Sequence, residues 1–141
     1  MGSVDFDQIT ITPLKQIPTL GGDVLHALKK SDDGFNGFGE AYFSWILPNS
    51  IKAWKKHTQM TMNLIVPIGL VKFVFCNHEN QFREECIGTE SYSRLTVPPG
   101  FWFGFQGLSS DPSLILNISN ILHDPSEASR LNVSDIHYTW N

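Results

Sequence analysis

Cysteine is scarce: the 141-residue chain has two, Cys76 and Cys86, and no Cys-x-x-Cys pair. That excludes a disulfide-stapled scaffold and a zinc ribbon. Free thiols in a reducing, cytoplasmic setting are the expectation, with a bond between the two across a hairpin left open. A Walker-type glycine loop and a Gly-x-Ser-x-Gly elbow are also missing, which removes two large enzyme classes. No apolar run reaches membrane-spanning length, and the N-terminus lacks the charged, apolar and cleavage regions of a signal peptide, so no membrane partner is expected. Charged residues are only 17% of the chain, and the net charge of -4 argues against a nucleic-acid partner.

What is present is an apolar, aromatic composition, 41% hydrophobic and 12% aromatic, which favours one β-rich domain over residues 1–141. Val4 to Pro18 alternates through Ile9 and Ile11 and reads as a strand at a sheet edge. Asp23 to Leu28 reads as a second strand, with His26 on its apolar side; a core or interface histidine and a ligand are both open there. Lys29 to Phe38 is loop-like. In the strand Gly39 to Leu47, Glu40, Tyr42, Ser44 and Ile46 share one face, and Ala41, Phe43, Trp45 and Leu47 the other. The mixed face suits a cavity wall or solvent.

Further strands are expected at Ile51 to His57, Met60 to Pro67, Leu70 to Phe75, Tyr92 to Val97 and Leu114 to Ile118, with Asn77 to Ser91 as a loop or hairpin tip. Leu95 to Leu108 turns at Pro98-Pro99-Gly100 and then alternates Phe101, Phe103 and Phe105. Asp124 caps a short helix expected over Pro125 to Arg130. Eight or more short strands with one late helix fit an all-β jelly-roll barrel.

His57 stands beside Lys52, Trp54, Lys55 and Lys56, a local anion site or a solvated strand edge on a mildly acidic chain. Metal-binding jelly rolls use several histidines and a carboxylate. Here Thr58-Gln59 follow His57 and Phe103 occupies the answering segment, so no metal and no cofactor are expected.

Four segments together resemble the sugar-nucleotide epimerases typified by dTDP-4-dehydrorhamnose 3,5-epimerase, which are metal-free cupin barrels. They are Gly22-Asp23-Val24-Leu25-His26, Trp54-Lys55-Lys56-His57, Pro98 to Phe105, and the stretch from Ser134 to Trp140. The resemblance implies proton abstraction at C3 and/or C5 of a dTDP-4-keto-6-deoxyhexose, in deoxysugar and surface-polysaccharide synthesis, by a homodimer. It assigns His57 as base, Asp135 as the carboxylate that orients it, and Lys55 or Lys56 to the enolate or diphosphate. Four family positions differ: Trp54 replaces an arginine, Asn63 a lysine, Asn117 the acid tyrosine and Phe103 a second histidine. An amide donates no proton at neutral pH, so Tyr42, Tyr92 or Tyr138 would have to replace the acid. The alternative is a non-catalytic protein that binds a sugar or sugar nucleotide on Trp54, Trp102, Phe103 and Phe105.

Overall fold

The computed structural model describes residues 5–141. Val4, the first residue of the expected N-terminal strand, lies outside them, and that segment divides into a turn of 3-10 helix at Phe6–Gln8, β1 (Thr10–Pro13) and β2 (Gln16–Ile17). The strand expected over Asp23 to Leu28 shortens to β3 (Val24–Leu25), because its only ladder partner is the two-residue β2. β4 (Glu40–Ile46), β5 (Ile51–His57), β6 (Met62–Ile68) and β7 (Leu70–Cys76) follow as the alternation predicts.

The acidic stretch expected to be a loop or hairpin tip contains a strand, β8 (Phe82–Gly88), paired along its length with β7. β8 is the edge of its sheet, and edge strands tolerate and use exposed charge. Then come β9 (Ser93–Val97), β10 (Trp102–Gly107), β11 (Ser113–Ser119) and β12 (Ala128–Arg130). The short helix after Asp124 is one 3-10 turn over Pro125–Glu127, with the Asp124 side chain accepting from the Ser126 N–H. The next three residues continue as β12, not as helix.

Two five-stranded sheets, ordered β1-β9-β6-β11-β4 and β12-β5-β10-β7-β8, make the jelly roll, with β2 and β3 as a separate pair. β1 is an edge strand, as its sequence suggested. The inward rows of the two sheets meet in one core: Ile46, Met62, Leu64, Val66, Leu95 and Ile115 from the first, Val71, Phe73, Phe75 and Phe103 from the second. A second cluster forms where the C-terminal segment crosses the outer face of the second sheet, with Trp54, Val74 and Trp140 buried together. Cys76 and Cys86 are free thiols, and no helix among the described residues is long and apolar enough to cross a membrane.

Candidate active site

β5 and β10 are neighbours in register, Lys55 opposite Phe103, and the Gly100 N–H of the Pro-Pro-Gly turn donates to the His57 carbonyl. Gly104 lies so close to β5 that a Cβ there would meet Ala53 Cβ at 2.5 Å. This tight approach sets the Phe103 ring over His57, the two stacked 5.9 Å apart. Around them a cavity of about 620 Å³ opens between the two sheets, the size of a small-ligand site. Tyr42, Ser44, Ile115 and Asn117 line it from the first sheet, and Lys52, Lys55, His57, Phe73, Phe103 and Phe105 from the second.

His57 is 4% exposed, and its Nδ1 lies 2.8 Å from Oε1 of Glu127. β12 pairs with β5, placing Ala128 opposite His57 and Glu127 one residue before it. The other carboxylate oxygen of Glu127 accepts the backbone N–H groups of Thr58, Gln59 and Met60 at 2.9–3.0 Å. Burial works against the Glu127 charge. The Gln59 N–H, the His57 ring and the Met60 N–H outweigh it, and the carboxyl titrates below its ordinary range. Burial also lowers the His57 pKa, and Glu127 only partly offsets this. The pair is therefore an ionised carboxylate accepting from the Nδ1–H of a neutral imidazole, which leaves Nε2 to carry the lone pair.

The expected carboxylate, Asp135, does not orient His57. It lines the cavity, but its Oδ2 accepts the Asn132 N–H at 2.7 Å and caps a 3-10 turn. Glu127 escaped the sequence reading because its meeting with His57 depends on the β12–β5 pairing. Its nearest local signal, Asp124 capping the turn that begins at Pro125, says nothing of His57.

Of the expected cations, Lys52 and Lys55 line the cavity, the Lys52 ammonium donating to the Trp45 carbonyl at 2.9 Å. Burial lowers the Lys55 pKa, with the Arg130 charge adding to the effect. Arg130, which the sequence reading missed, lies opposite Lys55 on β12 and joins the lining. Lys56 turns instead to the Trp102 ring, its ammonium 5.1 Å from the centroid. Trp54 contributes to the wall, but its indole is buried against Trp140 and donates to the Val133 carbonyl, so it is no stacking platform.

Asn63 and His26 leave the site altogether. In β6 the side chain that reaches the cavity is Leu64; Asn63, one residue away, points to the other face. There Asn63 Oδ1 accepts from Arg94 Nε at 3.1 Å and from the Thr96 hydroxyl, and its Nδ2 donates to the Gly34 carbonyl. His26 follows the shortened β3, where its carbonyl accepts the Tyr92 hydroxyl and its N–H bonds to Lys15. Among the described residues no three His, Cys, Asp or Glu side chains are grouped to hold a metal ion.

No protein-family profile matches the chain. It is 33% identical to a dTDP sugar isomerase of Desulfovibrio desulfuricans, with 94% of this chain and 90% of that one covered and a TM-score of 0.88. The 3,5-epimerase of Legionella pneumophila, solved with dTDP-4-keto-L-rhamnose, shares the fold at 16% identity and a TM-score of 0.79, over 94% of this chain and 77% of that one. A probable low-salt glycan biosynthesis epimerase of Haloferax volcanii is 26% identical over 91 residues, which is 60% of this chain and 58% of that relative.

Proposed function

The chain belongs to the family of dTDP-sugar epimerases and isomerases, and from that premise we propose that it removes the proton beside the ketone of a dTDP-linked 4-keto-6-deoxyhexose, at C3 and/or C5, with His57 as the base. The observation that carries this reading is the buried His57–Glu127 pair at the wall of the cavity. An α-proton is far less acidic than imidazolium, so the base has to be neutral at working pH and the enolate has to meet donors already in place. A carboxylate on Nδ1 fixes the tautomer, stabilises the imidazolium that forms, and keeps the ring from turning.

Lys52, Lys55 and Arg130 supply positive charge at the cavity, matching an enolate inside and a nucleotide diphosphate at its mouth. Phe73, Phe103 and Phe105 form an apolar wall that excludes water from the reacting carbon. The substrate is a small molecule; a cytoplasmic setting, where sugar nucleotides are made, accompanies the proposal.

A homodimer belongs to the same proposal. Phe43 and Trp45, on the side of β4 opposite Tyr42 and Ser44, and Leu47 just after the strand are 63%, 54% and 60% exposed. An exposed row of large apolar groups on a sheet face is the kind of surface a second copy covers.

A second reading, a non-catalytic sugar-nucleotide binder, draws support from the apolar Leu64 and Phe103 in the lining. Incubating the protein with dTDP-4-keto-6-deoxyglucose in deuterated water separates the two. The enzyme reading expects deuterium at C3 or C5, abolished in His57→Asn. Saturable binding with no exchange favours the binder.

A further inference from the structure

We infer that the Asn117 carboxamide binds a hydroxyl group of the sugar ring and so decides which ketosugars the cavity accepts. This rests on the proposed 4-keto-6-deoxyhexose ligand and adds the group that reads its ring. Asn117 is 7% exposed and lines the cavity, and among the described residues its buried Oδ1 has no hydrogen-bond partner. Buried amide oxygens are nearly always paired, so the missing donor is the ligand's to supply.

The surroundings of Asn117 explain why no protein donor reaches that oxygen. β11 runs between β6 and β4, with Asn117 opposite Leu64 on one side and Tyr42 on the other. Leu64 carries no polar atom, and neither does Ile115, two residues earlier on the same face. Of the two cross-strand neighbours only Tyr42 is polar, and its oxygen accepts from Asn117 Nδ2 at 3.0 Å. That bond engages the nitrogen end of the amide and fixes its rotation. The oxygen end is left as an open acceptor.

A 4-keto-6-deoxyhexose joined to a diphosphate through C1 has few groups that can donate to such an oxygen. The ketone, the ring oxygen and the C6 methyl donate nothing, whereas the C2 and C3 hydroxyls do. Lys52, Lys55 and Arg130 belong to the second sheet, so they face phosphate and enolate oxygens from the other wall. The hydroxyl-bearing edge of the ring therefore lies against β11. Leu64 and Ile115 strip that hydroxyl of water there, and the Asn117 oxygen replaces the lost bond. An analogue without the hydroxyl leaves the oxygen unpaired in a dry site, which is how a polar pocket rejects a deoxy ligand. The tyrosine that the resemblance implies at this position is absent, so the contact belongs to this chain's own sequence.

Titration calorimetry of the full chain with dTDP-4-keto-6-deoxyglucose and its 2-deoxy and 3-deoxy analogues tests the contact, in a His57→Asn background so that no ligand turns over. One of the two analogues is expected to bind about ten-fold or more weakly than the parent, the scale of leaving a buried acceptor unpaired. Asn117→Leu, nearly isosteric and without a polar atom, is expected to bring parent and analogue within about three-fold of each other. A packing role alone weakens all three ligands alike and leaves the preference in place. Both analogues binding as the parent does, or a preference that survives in Asn117→Leu, overturns the assignment. The first of these comparisons stands whether or not that variant folds. Failure of the base reading shows separately, as wild-type protein that prefers the parent sugar but exchanges no α-proton in deuterated water. A chain that does not bind the parent overturns both.

Discussion

His57 Nδ1 and Glu127 Oε1, seventy residues apart in the chain, lie 2.8 Å apart, with both side chains 4% exposed. Glu127 thereby joins the base to the backbone of the segment after it, since its second oxygen accepts the N–H groups of Thr58, Gln59 and Met60. Orientation of the ring and closure of the β5–β6 connection share one carboxylate.

Glu127→Gln is therefore expected to cost activity and stability together. The amide oxygen can still accept the backbone donors, but its NH₂ then faces Nδ1 and forces the imidazole into the tautomer with Nε2 protonated. Turnover falls on the order of 10²- to 10⁴-fold, as when a general base is lost. Stability falls by about 1–3 kcal/mol from the weakened buried network. Asp135→Asn, at a residue that caps a surface turn and makes no bond to His57, changes turnover by no more than about five-fold and costs stability of about 1 kcal/mol. Steady-state kinetics and denaturant melts on the two variants check this.

Acid sensitivity follows from the same pair. The folded-state pKa of His57 is below its ordinary 6.5, so the unfolded chain binds the proton more readily. This contribution is present above pH 6.5 and is lost as pH falls below it. Glu127 is likewise depressed below 4.5, and its contribution is lost as pH falls further, through its folded pKa. Melting temperature is expected to decline from about pH 6.5 downward, and His57→Asn should flatten the upper part of that decline. Thermal melts between pH 4 and 8 measure it.

Much of this site was legible in the sequence. Alternation in β4 put Tyr42 and Ser44 on one face, and they line the cavity; alternation in β10 did the same for Phe103 and Phe105. The family resemblance placed His57 and the barrel around it. What failed depended on parity or long-range pairing. Register in a strand has period two, so a match displaced by one residue exchanges the cavity face for the outer face, and Asn63 was taken where Leu64 points inward. Phe82–Gly88 hid its strand because it is an edge whose charges meet solvent. Glu127 needed β12 beside β5, which no local pattern records.

Asn63 serves the buried network around Arg94 rather than the cavity. Arg94 is 2% exposed and bonds to Asn63, the Ala27 carbonyl and Asp32. Asn63→Ala removes one acceptor from a buried guanidinium and a partner from Thr96 and Gly34. The expected outcome is a loss of about 1–3 kcal/mol in stability, with kcat/KM within about two-fold of wild type.

The exposed row on β4 sets the expectation for assembly. Light scattering at micromolar concentration should give a dimer, and Trp45→Lys should give a monomer, because a buried, unpaired ammonium at such a face is strongly unfavourable. A monomeric wild type contradicts the proposed interface.

Proton abstraction by His57 requires a neutral ring with its proton on Nδ1, and nitrogen NMR of the ¹⁵N-labelled imidazole observes that state directly. At pH 7 the predicted spectrum has Nδ1 protonated and Nε2 bare, with a midpoint below 6.5 that moves lower still in Glu127→Gln, because the carboxylate raises the His57 pKa. An Nε2-protonated tautomer, or an imidazolium at pH 7, would contradict it.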